Sequence, residues 1–145
     1  PKCIVKKNGK RRKDFLLMTN NLPNKVVNQM FENDAFSKWL GIEIIQINEG
    51  FCELTLTIRE EMTNGFNIAH GGITYSLADS ALAFASNSHG RKCVSVETSI
   101  SHTKPCLIGD VLTARAVEKS ISNKIGIYEN PLSIFVYYLF FLCFL

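Results

Sequence analysis

The segment Asn64-Gly65-Phe66-Asn67-Ile68-Ala69-His70-Gly71-Gly72 is polar and glycine-rich, and it runs directly into Ile73-Thr74-Tyr75-Ser76-Leu77-Ala78-Asp79. A loop rich in backbone N–H donors ahead of a helix is a ready anion site, because the first turn points unsatisfied N–H groups outward. From Gly72 to Ala85 the chain is apolar or small on almost every side and carries one charge, Asp79. A single carboxylate on a helix that must be buried is costly unless it has a partner or a task. The two features point to chemistry in which negative charge develops on an oxygen while a carboxylate acts nearby. Each residue also has a plainer use. Asp79 could bond neighbouring backbone, and His70 could be a satisfied structural histidine. Gly71 and Gly72 could serve only a tight turn, and Asn64 could be a turn residue before Gly65.

The elements that must position these residues can be read from periodicity. Apolar residues at Val26, Val27, Met30, Phe31, Ala35, Trp39 and Leu40 have helical spacing over 24–40, with Gly41 as the stop. Ile42 to Asn48 and Phe51 to Ile58 read as strands around the turn Glu49-Gly50. In the second of these, Cys52, Leu54, Leu56 and Ile58 alternate with polar residues, which buries one face. The long helix runs from Gly72 to Ser88. Strands follow over 92–101, 111–119 and 124–129, broken by Lys104-Pro105 and Ser122-Asn123. A helix that is apolar nearly all round must be wrapped. A curved antiparallel sheet around it is the natural solution, so the expected class is α+β.

With 145 residues the chain is expected to be one domain with a real core. Its net charge of +3 hides an uneven distribution. Residues 1–17 hold seven Lys/Arg against Asp14, while the rest carries nine positive and twelve negative residues. That acidic body argues against a nucleic-acid surface. Five cysteines without a CxxC pair suggest neither a disulfide framework nor a zinc site, and reduced thiols fit a cytoplasmic location. The ends differ from the body. Residues 1–17 form a basic leader that reads as a tail or upstream read-through, with 18–130 as the domain. Residues 131–145 end in the apolar run IFVYYLFFLCFL. That run is too short to span a membrane as a helix, which takes about 20 residues. It also lacks strand alternation, so it reads first as an aberrant end in which the last strand is lost or altered, with a membrane-contacting tail and a native buried strand as alternatives.

The stretches FENDAFSKWLGIEI, MTNGFNIAHGGITYSLADSALAFASNS and SISHTKPCLIGDVLTARA resemble the hotdog-fold acyl-CoA thioesterases, within them the phenylacetate-degradation (PaaI-type) group. The resemblance spans about residues 31–128. It implies an antiparallel sheet wrapped around one long central helix, and homodimers joined through their sheets that pair into homotetramers. It also implies hydrolysis of acyl-CoA, with a preference for aromatic phenylacetyl-type acyl groups and without metal or cofactor. By motif, Asp79 matches the catalytic carboxylate, as general base or nucleophile, and the Gly71 N–H matches the oxyanion donor. Asn64 and His70 match polar residues that position the thioester. Gly72 and Asn87 fall in matched segments as substrate-binding positions, and Ser95 is a weaker match, sitting where related thioesterases place a hydroxyl near the water. In the family the loop of one protomer faces the carboxylate of the other. Three rivals stay open. One is a hotdog dehydratase or hydratase using His70 with Asp79. Another is an inactive product whose altered end prevents pairing. The third uses the basic leader and the apolar tail as membrane contacts.

Overall fold

The computed structural model describes residues 21–133 and, as backbone, 139–144. The basic leader over 1–17 lies outside the described residues. The chain begins with α1 (Leu22–Asn33), whose N-cap Asn21 accepts from the Asn24 N–H at 3.1 Å. The single helix expected over 24–40 is instead two. Asp34 ends α1 and caps α2 (Ala35–Leu40), its carboxylate accepting from the Ser37 N–H at 2.9 Å and the Ser37 hydroxyl at 2.6 Å. An Asp side chain competes with helical backbone bonding in this way, and periodicity alone does not register it. Gly41 does stop α2, in the left-handed conformation at φ 75° that glycine adopts at least cost.

The strands are β1 (Glu43–Asn48), β2 (Phe51–Thr57), β3 (Val94–Ile100), β4 (Val111–Ile121), β5 (Ile125–Glu129), β6 (Leu132–Ser133) and β7 (Leu139–Phe144). They form one antiparallel sheet in the order β1-β2-β4-β5-β7-β3, with β6 beside β4. The reading in which the last strand is lost does not hold. The backbone of β7 pairs with β5 on one side and β3 on the other. Its phenylalanines suit a strand, and the edges of β5 and β3 both offer pairing.

The long helix α3 (Gly71–Asn87) lies on this sheet. It buries Leu77, Ala81, Leu82, Phe84 and Ala85 against Leu54, Leu56, Leu112, Ala114 and Ala116. The alanines on both sides let helix and sheet approach closely. Phe84 meets Phe31 of α1 edge-on, at 6.1 Å between centroids. After β5, buried Asn130 donates to the Ala78 carbonyl at 2.7 Å, which ties the strand end to the turn carrying Asp79. β3 is an edge strand. Its alternation suggests a buried apolar face, yet Val94 is 71% and Val96 50% exposed in the protomer. Among the described residues no helix is long and apolar enough to cross a membrane.

Candidate active site

The first turn of α3 can be accounted for donor by donor. Four N–H groups at a helix start lack intrahelical partners. The His70 N–H donates to Met62 O at 2.8 Å, and the Ile73 N–H folds back onto His70 O at 2.9 Å. The Gly72 N–H donates to the His70 ring at Nδ1, 2.9 Å. The Gly71 N–H has no acceptor among the described residues. One backbone donor is therefore left pointing outward at the positive end of a 17-residue helix.

The loop that feeds this turn is braced from within. The Asn64 N–H donates to Ile68 O at 2.8 Å, and Asn64 O accepts from the Asn67 N–H at 3.0 Å. The Asn64 side-chain oxygen accepts from the Phe66 N–H at 2.9 Å, an Asx turn. Asn67 takes φ 57°, which asparagine tolerates. The Ala69 N–H then donates to Cys106 O at 2.8 Å, fixing the loop to the segment after β3. The Asn64 amide –NH2 has no acceptor among the described residues. It lines a cleft of about 470 Å³ together with Gly71, Thr74, His102, Lys104 and Cys106.

Asp79 sits two turns further along α3, about 12 Å up the axis from Gly71 and rotated from it by about 80°. It faces a second cleft of about 270 Å³, lined also by Leu82, Ala83, Cys93, Val94 and Ser95. The carboxylate is half-buried and has no hydrogen-bond or ion-pair partner among the described residues. Burial pushes its pKa above the ordinary carboxylate value. The two clefts share no lining residue. Within one protomer the structure thus groups Asn64 with Gly71, and Asp79 with Ser95, and keeps the pairs apart.

Three expected site residues have local structural bonds. His70 is the N-cap of α3, and its ring must leave Nδ1 unprotonated to accept from Gly72. That bond also uses the Gly72 N–H. Asn87 is buried, and its amide clamps the chain re-entering β3. It donates to Ala83 O at 2.9 Å and Cys93 O at 3.1 Å, and accepts from the Cys93 N–H at 3.0 Å. Both amide protons and one acceptor position of the oxygen are used within the protomer, so Asn87 clamps the helix end to the incoming strand. Asn87→Ala is expected to destabilise the protein by about 1–3 kcal/mol, since buried groups lose their partners. Thermal melts and thiol-release kinetics on the variant should show a lowered Tm with KM within about twofold of the parent.

Sequence reasoning missed His102 and Thr74, which line the cleft beside Gly71. Nothing in their spacing marks them, because a loop after an edge strand brings His102 there. Among the described residues no group of three or more His, Cys, Asp or Glu side chains is placed to hold a metal ion.

Known proteins share this sequence and fold. Residues 66–130 match the model of the thioesterase superfamily. The chain is 43% identical over 100 residues to the acyl-coenzyme A thioesterase PaaI of Escherichia coli, covering 69% of this chain and 71% of that protein. It is 30% identical over 107 residues to human acyl-coenzyme A thioesterase 13, covering 70% and 76%. The structure of the E. coli PaaI protein, from the phenylacetic acid degradation operon, superposes with a TM-score of 0.81 at 35% identity, over 84% of this chain and 91% of that one. The sheet order, the long helix and its glycine-rich start are thus joined to a shared sequence, and the chain belongs to the thioesterase superfamily, in its hotdog-fold, PaaI-type branch.

Proposed function

We propose that this protein is an acyl-CoA thioesterase acting in the cytoplasm on aromatic, phenylacetyl-type acyl-CoA. One observation carries the reading: the Gly71 N–H is the single first-turn donor of α3 left without an acceptor among the described residues. Thioester hydrolysis builds an oxyanion as the carbonyl becomes tetrahedral, and a fixed donor stabilises it without reorganising. Asp79 takes a proton from water, the resulting hydroxide attacks the carbonyl carbon, and the intermediate expels the CoA thiolate, which receives the proton. A carboxylate whose pKa is raised by burial is a better base for that step. Hydrolysis of this kind calls for no cofactor.

Two copies complete the site. The clefts of Gly71 and Asp79 are separate within a protomer. The edge strand β3 carries Ser95 beside the Asp79 cleft and exposes Val94 and Val96. Pairing of two β3 edges satisfies their open backbone groups and gives a homodimer, with a homotetramer as its further association. The loop of one protomer then faces Asp79 of the other. The aromatic preference is supported by the likeness to PaaI and by the apolar lining from Leu82, Ala83 and Val94. CoA-thiol release measured over aromatic and aliphatic acyl-CoAs tests the reading. The expected outcome is turnover with the highest kcat/KM on phenylacetyl-type substrates. Hydration of enoyl-CoA without thiol release would overturn it in favour of a hydratase.

A further inference from the structure

We propose that His102 is a positioning residue of the thioester site, the wall that confines the substrate carbonyl to the Gly71 N–H; this rests on the thioesterase reading above. His102 lies on the loop between β3 and Pro105, and that loop is anchored by the Ala69 N–H to Cys106 O bond. Its ring is tied to the helix. Thr74, buried on α3, donates its one hydroxyl proton to Gly71 O at 2.8 Å, because a carbonyl can only accept. The Thr74 oxygen also lies 3.3 Å from His102 Nδ1, so Nδ1 carries the proton of that contact. The tether fixes which ring edge faces the helix.

The same ring covers Gly71. A Cβ built on Gly71 would meet His102 Nε2 at 3.3 Å, Cε1 at 3.4 Å and Cδ2 at 3.9 Å. Gly71 has an ordinary helical conformation, so a side chain here would meet no backbone strain but a tight contact with the imidazole. The residue that offers the outward donor is therefore packed directly beneath an aromatic wall. Gly71 and His102 line the same cleft, so a carbonyl that reaches the donor through that cleft lies beside the ring. Confining the reacting group in this way assists the chemical step more than ground-state binding, and a displacement of about 1 Å can cost about a hundredfold in rate. His102 lies in the matched stretch SISHTKPCLIGDVLTARA, but nothing in that stretch separates its role from those of its neighbours.

The test uses the full chain. His102→Ala is expected to lower kcat about tenfold to a hundredfold with KM within about threefold. His102→Phe, which restores a ring of similar breadth, is expected to recover most of kcat. A role in folding alone would lower Tm and leave kcat per folded protein unchanged, and that result overturns the inference. A second readout needs no turnover. In NMR spectra of the parent protein, titration with a ketone analogue of phenylacetyl-CoA, bearing a methylene between sulfur and carbonyl, should shift the His102 ring signal and leave that of His89, at the far end of α3, in place. An unmoved His102 signal at saturation overturns the inference while the thioesterase reading stands. A parent protein that neither releases thiol nor binds the analogue overturns that reading, and the inference with it.

Discussion

Replacing Asp79 by Asn is expected to lower kcat for acyl-CoA hydrolysis by about 10² to 10⁴, the range typical of a lost general base, and to raise the melting temperature at neutral pH. The two effects have one cause. Asp79 is half-buried without a described partner, and burial raises its pKa in the folded state. A carboxyl with a raised folded pKa favours the folded state most when protonated. Its contribution is fully present below the unfolded value, about 3.9, and is lost as pH rises through the folded value. At neutral pH the enzyme therefore holds an ionised group at a cost in stability. Asn has the shape of the protonated acid at every pH, so the variant recovers that stability and loses the base. In the parent, kcat/KM should fall as pH drops through the raised value. Thermal melts and pH–rate profiles of parent and variant check both statements. A variant that keeps turnover, or is less stable at neutral pH, would contradict the role given to Asp79.

Gly71→Pro is the second large effect. Proline removes the N–H and nothing else the helix needs. The first helical position is where proline is best tolerated, and the residue before it must be extended. His70 already is, at φ −61° and ψ 135°. Loss of one oxyanion donor is expected to lower kcat about 10²- to 10³-fold, with folding retained by circular dichroism. The added ring atoms also press on His102, so Gly71→Ala serves as control. It adds the same Cβ but keeps the donor, and is expected to retain activity well above that of the proline variant. Equal activity in the two variants would remove the Gly71 N–H from the mechanism.

Much of this fold is legible in the sequence because its signals are local. The alternation in Phe51 to Ile58, the apolar helix ended near Ser88 and the stop at Gly41 each follow from residues a few positions apart. The failures come where a distant partner decides. Asp34 splits the first helix by bonding Ser37, a choice periodicity does not register. The apolar run at the end lacks alternation, yet the edges of β5 and β3 draw Leu139–Phe144 into the sheet. Val94 and Val96 alternate as a buried face would, yet both are exposed in the protomer. The site shows the same division. Gly71 and Asp79 stand out by motif and by chemistry. Asn87 lies in a matched stretch, and only the structure shows its amide spent on Cys93 and Ala83. His102 lies in a matched stretch too, and only the structure places its ring beside Gly71.

The most direct test of the central claim, that the Gly71 donor of one protomer works with Asp79 of its partner, is a mixing measurement. The Asp79→Asn and Gly71→Pro variants, each inactive alone, are co-expressed with different tags and purified together. Random pairing makes half of the dimers mixed, and each mixed dimer holds one intact and one doubly impaired site. Thiol release should then return to about a quarter of the parent's rate per protomer, for a symmetric pair of shared sites. Activity no higher than that of either variant alone, in preparations shown to contain mixed dimers, would contradict the shared site.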